Sequence, residues 1–126
     1  MFRQGATSIT PIETFHELVD GETLDVPGSP RVLSLPGHSP GHCALVLEER
    51  GVVLIGDALG TVDMRTFEPG PPQLLLVNED RGRALNSLDR LESLEVEDEV
   101  TLLPGHGDSW HGHLADAVAS ARSLAR

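Results

Sequence analysis

Three times in this sequence a short apolar run closes on glycine and is followed at once by a metal-ligand type of residue. "VLSLPGH" ends on His38, "VVLIGD" on Asp57 and "TLLPGH" on His106. Apolar runs of this length, stopped by Gly or Pro, read as buried strands. The chain must therefore build a sheet and mount polar side chains just beyond its strand ends. Such loops are held on a rigid scaffold and commonly carry sites. A glycine beside each polar residue lets the backbone approach closely or take positive φ. Two imidazoles and a carboxylate delivered in this way suit a zinc-like ion. Taken singly, His38 and His106 read as turn histidines satisfied by backbone hydrogen bonds, and Asp57 as a cap on the turn after its strand. The repeated design favours ligation, and a cation would relieve the cost of desolvating a carboxylate after "VVLIG".

The remaining pattern predicts a mixed α/β fold. Residues 1–12 form a loose lead-in without periodicity, and 14–26 read as two short strands around the Asp20-Gly21 turn. Strands follow at 31–35, 42–48 and 52–56, the last two as a hairpin, and unbroken apolarity in "VVLI" predicts burial on both faces. Residues 57–77 read as loop, with "EPGPP" as its least regular part. An amphipathic helix is expected over 78–94, with Asn78 as N-cap, acidic residues opening its first turn, and Leu85, Leu88 and Leu91 on one face. A strand at 99–103 and a helix from His111 to Ala125, burying Leu114, Ala117, Val118, Ala121 and Leu124, complete the domain. Trp110 reads as a packing residue where that helix starts, His16 as exposed, and the acids of 95–99 as a solvated face.

At 126 residues the chain holds one domain with a modest core, built mainly of Leu, Val and Ala because aromatics make up only 3%. Nine basic against twenty acidic residues give a net charge of −11, which repels nucleic acid and anionic membranes. No apolar run approaches the roughly 18 residues of a membrane span. The single cysteine, Cys43, forms no internal disulfide and reads as a small hydrophobe in the core. The first ten residues lack the apolar centre of a signal peptide, so the expected location is cytoplasmic.

In this order, "LPGHSPGH", "LIGDAL" and "LLPGHG" resemble the C-terminal motifs of the metallo-β-lactamase superfamily, which includes glyoxalase II and other metal-dependent hydrolases. The "ELVDGETLDV" stretch is similar to that family as well. The resemblance implies an αββα sandwich with a mixed sheet and C-terminal helices, and a site for two metal ions, commonly zinc. It implies His38 as ligand of the first metal, Asp57 as the bridge and His106 as ligand of the second. His42 matches the motif's second histidine, a supporting hydrogen-bonding residue rather than a ligand. Manganese or iron would suit the same donors. In the family a hydroxide held between the metals attacks a carbonyl or phosphoryl centre of thioesters, β-lactams, lactones or phosphodiesters.

The sequence departs from the family in one respect. The upstream His-x-His-x-Asp-His motif has no counterpart before His38, where His16 is the only histidine. The expectation is a single but incomplete domain over 1–126, the C-terminal part of a longer one. The "HGH" at 111–113 has the composition of replacement ligands, His111 and His113. Read as a helix start, however, it turns side chains two apart by about 200°.

Three functions are expected from this pattern. The leading one is a hydrolase by descent whose incomplete metal site leaves the isolated monomer with little or no turnover, so that no catalytic residue is assigned. The second is a non-catalytic binding or structural module that covers its open sheet face by homodimerisation or with a complementary chain. The third is an active metal-dependent hydrolase, acting on a small molecule, with its site shared between chains.

Overall fold

In the computed structural model, residues 10–96 and 98–125 are described. Most of the lead-in expected at 1–12 therefore lies outside the described residues. Seven strands and two helices follow. They are β1 (Arg31–Ser34), β2 (Cys43–Leu47), β3 (Val52–Gly56), β4 (Gly60–Val62), β5 (Pro69–Gln73), α1 (Arg81–Glu92), β6 (Val100–Pro104), β7 (Trp110–Gly112) and α2 (Leu114–Leu124). Five strands form one mixed sheet in the order β1-β2-β3-β6-β7, and β4 and β5 pair as a separate ribbon. The β1-β2 and β2-β3 pairs are antiparallel and β3-β6 is parallel. Hence β1, β3 and β6 all run the same way, and their C-terminal ends open on one edge.

Alternation along the strands sorts the sheet into two unlike faces. Leu33, Ala44, Val46, Val53, Ile55, Val100 and Leu102 point into the core. There they meet Ala84, Leu88 and Leu91 of α1 and Leu114, Ala117, Val118 and Ala121 of α2. The other face carries Leu45, Leu54 and Leu103, matched in register across three strands. Leu54 and Leu103 are each 38% exposed, so the two-sided burial expected from "VVLI" does not occur: Val53 and Ile55 are buried, and Leu54 is not. Cys43 also lies on this open face, since its neighbour Ala44 takes the core side, which corrects the reading of it as a core residue. Burial, then the nearby Asp20 charge, still pushes its thiol pKa up.

Several local expectations change for identifiable reasons. The two strands expected over 14–26 reduce to a single bridge between Thr23 and Arg31, because residues 10–19 have no regular structure and are exposed. The loop expected over 57–77 contains the β4-β5 ribbon. Its prolines are tolerated because they lie on β5, which pairs with β4 alone, and Pro72 is fully buried. The first helix begins at Asp80, whose side chain accepts a hydrogen bond from the Arg83 amide at 2.9 Å, and no acidic residue lies in its first turn. Asn78, expected as the cap, donates instead to the Leu75 carbonyl at 2.7 Å. Residues 110–112, expected to open a helix, form β7, and Trp110 packs against the core from there. Leu124 is 53% exposed rather than buried, because α2 ends as it leaves the sheet. No helix among the described residues is long and apolar enough to cross a membrane.

Asp20 ties the segment before β1 to both layers. It accepts from the Ser34 amide at 2.8 Å and pairs with Arg90 of α1 at 2.6 Å. These two contacts, the Ser34 amide first, hold its carboxyl below the ordinary carboxylate range. A lowered folded-state pKa means stability that is present above the unfolded value and is lost as pH falls through the folded one. Asp20→Asn should cost less than about 1 kcal/mol at neutral pH, since the pair is half-exposed. It should also flatten the loss of stability below about pH 4, as read by urea melts across pH.

Candidate metal centre

The shared direction of β1, β3 and β6 delivers His38, Asp57 and His106 to one edge of the sheet. The β1 loop is strapped to α1 along its length. Ser87 donates to the Pro36 carbonyl at 2.6 Å, the Asp80 amide to the Gly37 carbonyl at 2.9 Å, and the Glu79 amide to the His38 carbonyl at 3.2 Å. The His38 ring is fixed through Nδ1, which lies 2.8 Å from the Val77 carbonyl. A carbonyl can only accept, so Nδ1 carries the proton and a neutral ring leaves Nε2 as a lone pair.

That lone pair faces the Oδ2 of Asp57 at 3.4 Å, while the other carboxylate oxygen, Oδ1, accepts from Nδ1 of His106 at 2.7 Å. With Nδ1 engaged, Nε2 is the nitrogen left to meet Asp57, through a proton or a shared cation. Ligands sharing a zinc-like ion with bonds of 2.0–2.1 Å sit about 3.3 Å apart, so the His38–Asp57 separation suits one. The shorter His106 contact is a hydrogen bond that orients the carboxylate and leaves Nε2 of His106 free. The donor set therefore fits a divalent ion in chemistry and spacing. Among the described residues, however, no three His, Cys, Asp or Glu side chains close on a common point.

Glycines permit this crowding. Gly56 has φ +57°, and a Cβ on it would lie 2.7 Å from the His42 ring. A Cβ on Gly105 would lie 2.5 Å from Oδ1 of Asp57. His42, at the start of β2, meets the Ile55 carbonyl through Nε2 at 3.1 Å and stacks edge-on with His38 at 5.9 Å between centroids. It braces the turn that carries Asp57. His111 and His113 are not brought to this edge. His111 pairs with Thr101 at the opposite end of β6, about 10 Å of strand away from Pro104. His16 is exposed in the segment before β1.

One positioning residue escaped the motif reading. Thr61 of β4 is buried, its hydroxyl donates to the Asp108 carbonyl at 2.5 Å, and its amide donates to the His106 carbonyl at 3.1 Å. It thereby clamps the loop carrying His106. Its sequence signal was weak: one small polar residue in a stretch without periodicity.

Comparison with known proteins bears on this geometry. A family model described as the metallo-beta-lactamase superfamily matches residues 6–106. The hydroxyacylglutathione hydrolase GloC of Haemophilus influenzae is 31% identical over 91 residues, which is 70% of this chain and 38% of that one. An N-acyl homoserine lactonase of Bacillus cereus is 31% identical over 94 residues, 72% of this chain and 35% of its own length. Thus the chain spans little more than a third of the length of these curated relatives. Among solved structures, a metallo-beta-lactamase family protein of Thermus thermophilus superposes with a TM-score of 0.61 at 33% identity, covering 85% of this chain and 34% of that one. Another protein, TTHA1623, solved in a di-iron-bound form, gives a TM-score of 0.55 at 30% identity, covering 92% of this chain and 50% of that one.

Thr61→Val keeps the volume but removes the donor to the Asp108 carbonyl. It should destabilise the protein by about 1 kcal/mol in urea unfolding and speed hydrogen exchange at the Thr61 amide, while Thr61→Ser should preserve both.

Proposed function

Because the chain belongs to the metallo-β-lactamase superfamily, we propose that the strand-end cluster is the metal-holding part of a hydrolase centre. The observation that carries this reading is His38 Nε2 held 3.4 Å from Asp57 Oδ2 while the Val77 carbonyl occupies Nδ1. His38 and Asp57 would hold a divalent ion, zinc, iron or manganese, while His106 keeps Asp57 in place and would offer its Nε2 as a further donor. When bound, such an ion acidifies a water and polarises the scissile carbonyl. The chain's own part is orientation: Val77 fixes the His38 tautomer, His106 fixes the carboxylate, and His42 braces its turn.

The substrate class proposed is an acyl ester or thioester, after the names of the hydroxyacylglutathione hydrolase and the homoserine lactonase. A catalytic zinc site normally has three protein ligands and a water, and the described donors do not close on one point. The isolated monomer is therefore proposed to turn over little or nothing. Imidazole resonances of His38 should shift when Zn²⁺ is added to the wild type and stay still in Asp57→Ala; no shift in either protein would sink the metal reading. On a thioester and lactone panel, the monomer should match background. Robust turnover abolished by Asp57→Ala would overturn the low-activity part alone.

A second reading is favoured by the open sheet face. Leu45, Leu54 and Leu103 form an apolar row that no described residue buries. It is proposed that a second copy of the chain covers this face, with a complementary chain as the alternative occupant, and that a site shared between chains would follow from such pairing. Light scattering at micromolar concentration should report a dimer that Leu54→Glu converts to monomer. A wild-type monomer would exclude self-pairing.

A further inference from the structure

A second cluster of ligand-type side chains sits at the far end of the same sheet. His111 lies on β7, and His113 continues the extended run with φ −79° and ψ 136°. In an extended chain, residues two apart point to one side about 6.6 Å apart, so the two imidazoles flank a common space. Glu99, just before β6, faces them. His111 Nε2 is 3.3 Å from Glu99 Oε2, and His113 Nε2 is 3.9 Å from Oε1. With Val96 and Asp98 they line an open depression.

The outer ring nitrogens are already engaged. Nδ1 of His113 bonds to the Asp98 carbonyl, which can only accept, so Nε2 is the nitrogen left facing the carboxylate side. Nδ1 of His111 lies 3.1 Å from the Thr101 hydroxyl. A simple ion pair would need one imidazole; here two share one carboxylate, each ring anchored from behind. That is the way ligating histidines are held in metal sites.

We propose that His111, His113 and Glu99 form a second, surface site for a borderline divalent cation such as Zn²⁺ or Ni²⁺, independent of the strand-end cluster. Two imidazoles and a carboxylate are a three-donor set that does not close on one point as it stands and needs a small movement to do so. The His111–Glu99 separation already matches ligands on one ion, and His113 closes from 3.9 Å toward about 3.3 Å on binding. All three side chains are more than half exposed, which allows that small movement. The net charge of −11 attracts the cation from a distance.

The test is calorimetric titration of Zn²⁺ into the full chain carrying His38→Ala and Asp57→Ala, with circular dichroism confirming the fold. One ion per chain should still bind. Adding Glu99→Gln, or His111→Gln, should weaken it by about tenfold or more. Absence of zinc binding in the doubly substituted chain would overturn the proposal, as would binding undiminished by Glu99→Gln and His111→Gln. Where His113→Gln disturbs the start of α2, those two variants decide the matter.

Discussion

The parallel pairing of β3 with β6 is the contact on which the rest of this molecule depends. Val53 opposite Leu102 and Leu54 opposite Leu103 set two strands side by side with their ends level. Without that register, Asp57 and His106 would leave the sheet at different heights, and the carboxylate could not accept from the ring. Parallel neighbours cannot be joined by a tight turn. The chain between them must travel back along the sheet, and it does so through the β4-β5 ribbon and α1. Both are then used: β4 clamps the His106 loop, and α1 carries the His38 loop. The crossover that the pairing demands thus supplies the supports of the site.

The same register decides where charge is exposed to charge. Asp57 divides its two oxygens between two imidazoles, at 2.7 Å from His106 and 3.4 Å from His38. Local backbone geometry enforces this, since the Val77 carbonyl fixes the His38 tautomer from outside the cluster.

The sequence made the strand ends legible because their chemistry is local: an apolar run, a glycine and a polar residue within seven positions. The core faces of α1 and α2 followed from periodicity, apart from Leu124. What escaped depended on contacts between distant segments. Asn78 and Asp80 are both cap-forming types two residues apart, and the Gly37 carbonyl, which receives the Asp80 amide, selects the second. The Pro-rich 69–73 stretch has no strand signal of its own and pairs only because β4 lies beside it. "HGH" precedes a strongly periodic helix, so it read as part of that helix. His113 carries no side-chain cap to mark the boundary. Unbroken apolarity in "VVLI" promised cover on two sides, while the described residues provide it on one. The residues of the centre were therefore readable by type, whereas the Thr61 clamp and the His38 tautomer that Val77 imposes were not.

The straps between the His38 loop and α1 have a thermodynamic consequence. Three hydrogen bonds from Glu79, Asp80 and Ser87 join the loop to the entry and early turns of α1. The rest of that helix is held by apolar packing and by Arg81, Asp89 and Arg90, which reach Ala125, Arg122 and Asp20. Fraying of those turns releases His38, and whatever fixes His38 must hold the turns closed. Linkage makes the effect reciprocal: the free energy by which an occupant of the loop steadies the helix equals that by which a steadier helix tightens the occupant. Affinity at this edge of the sheet is therefore tunable from the solvent face of α1, by residues that never approach the site.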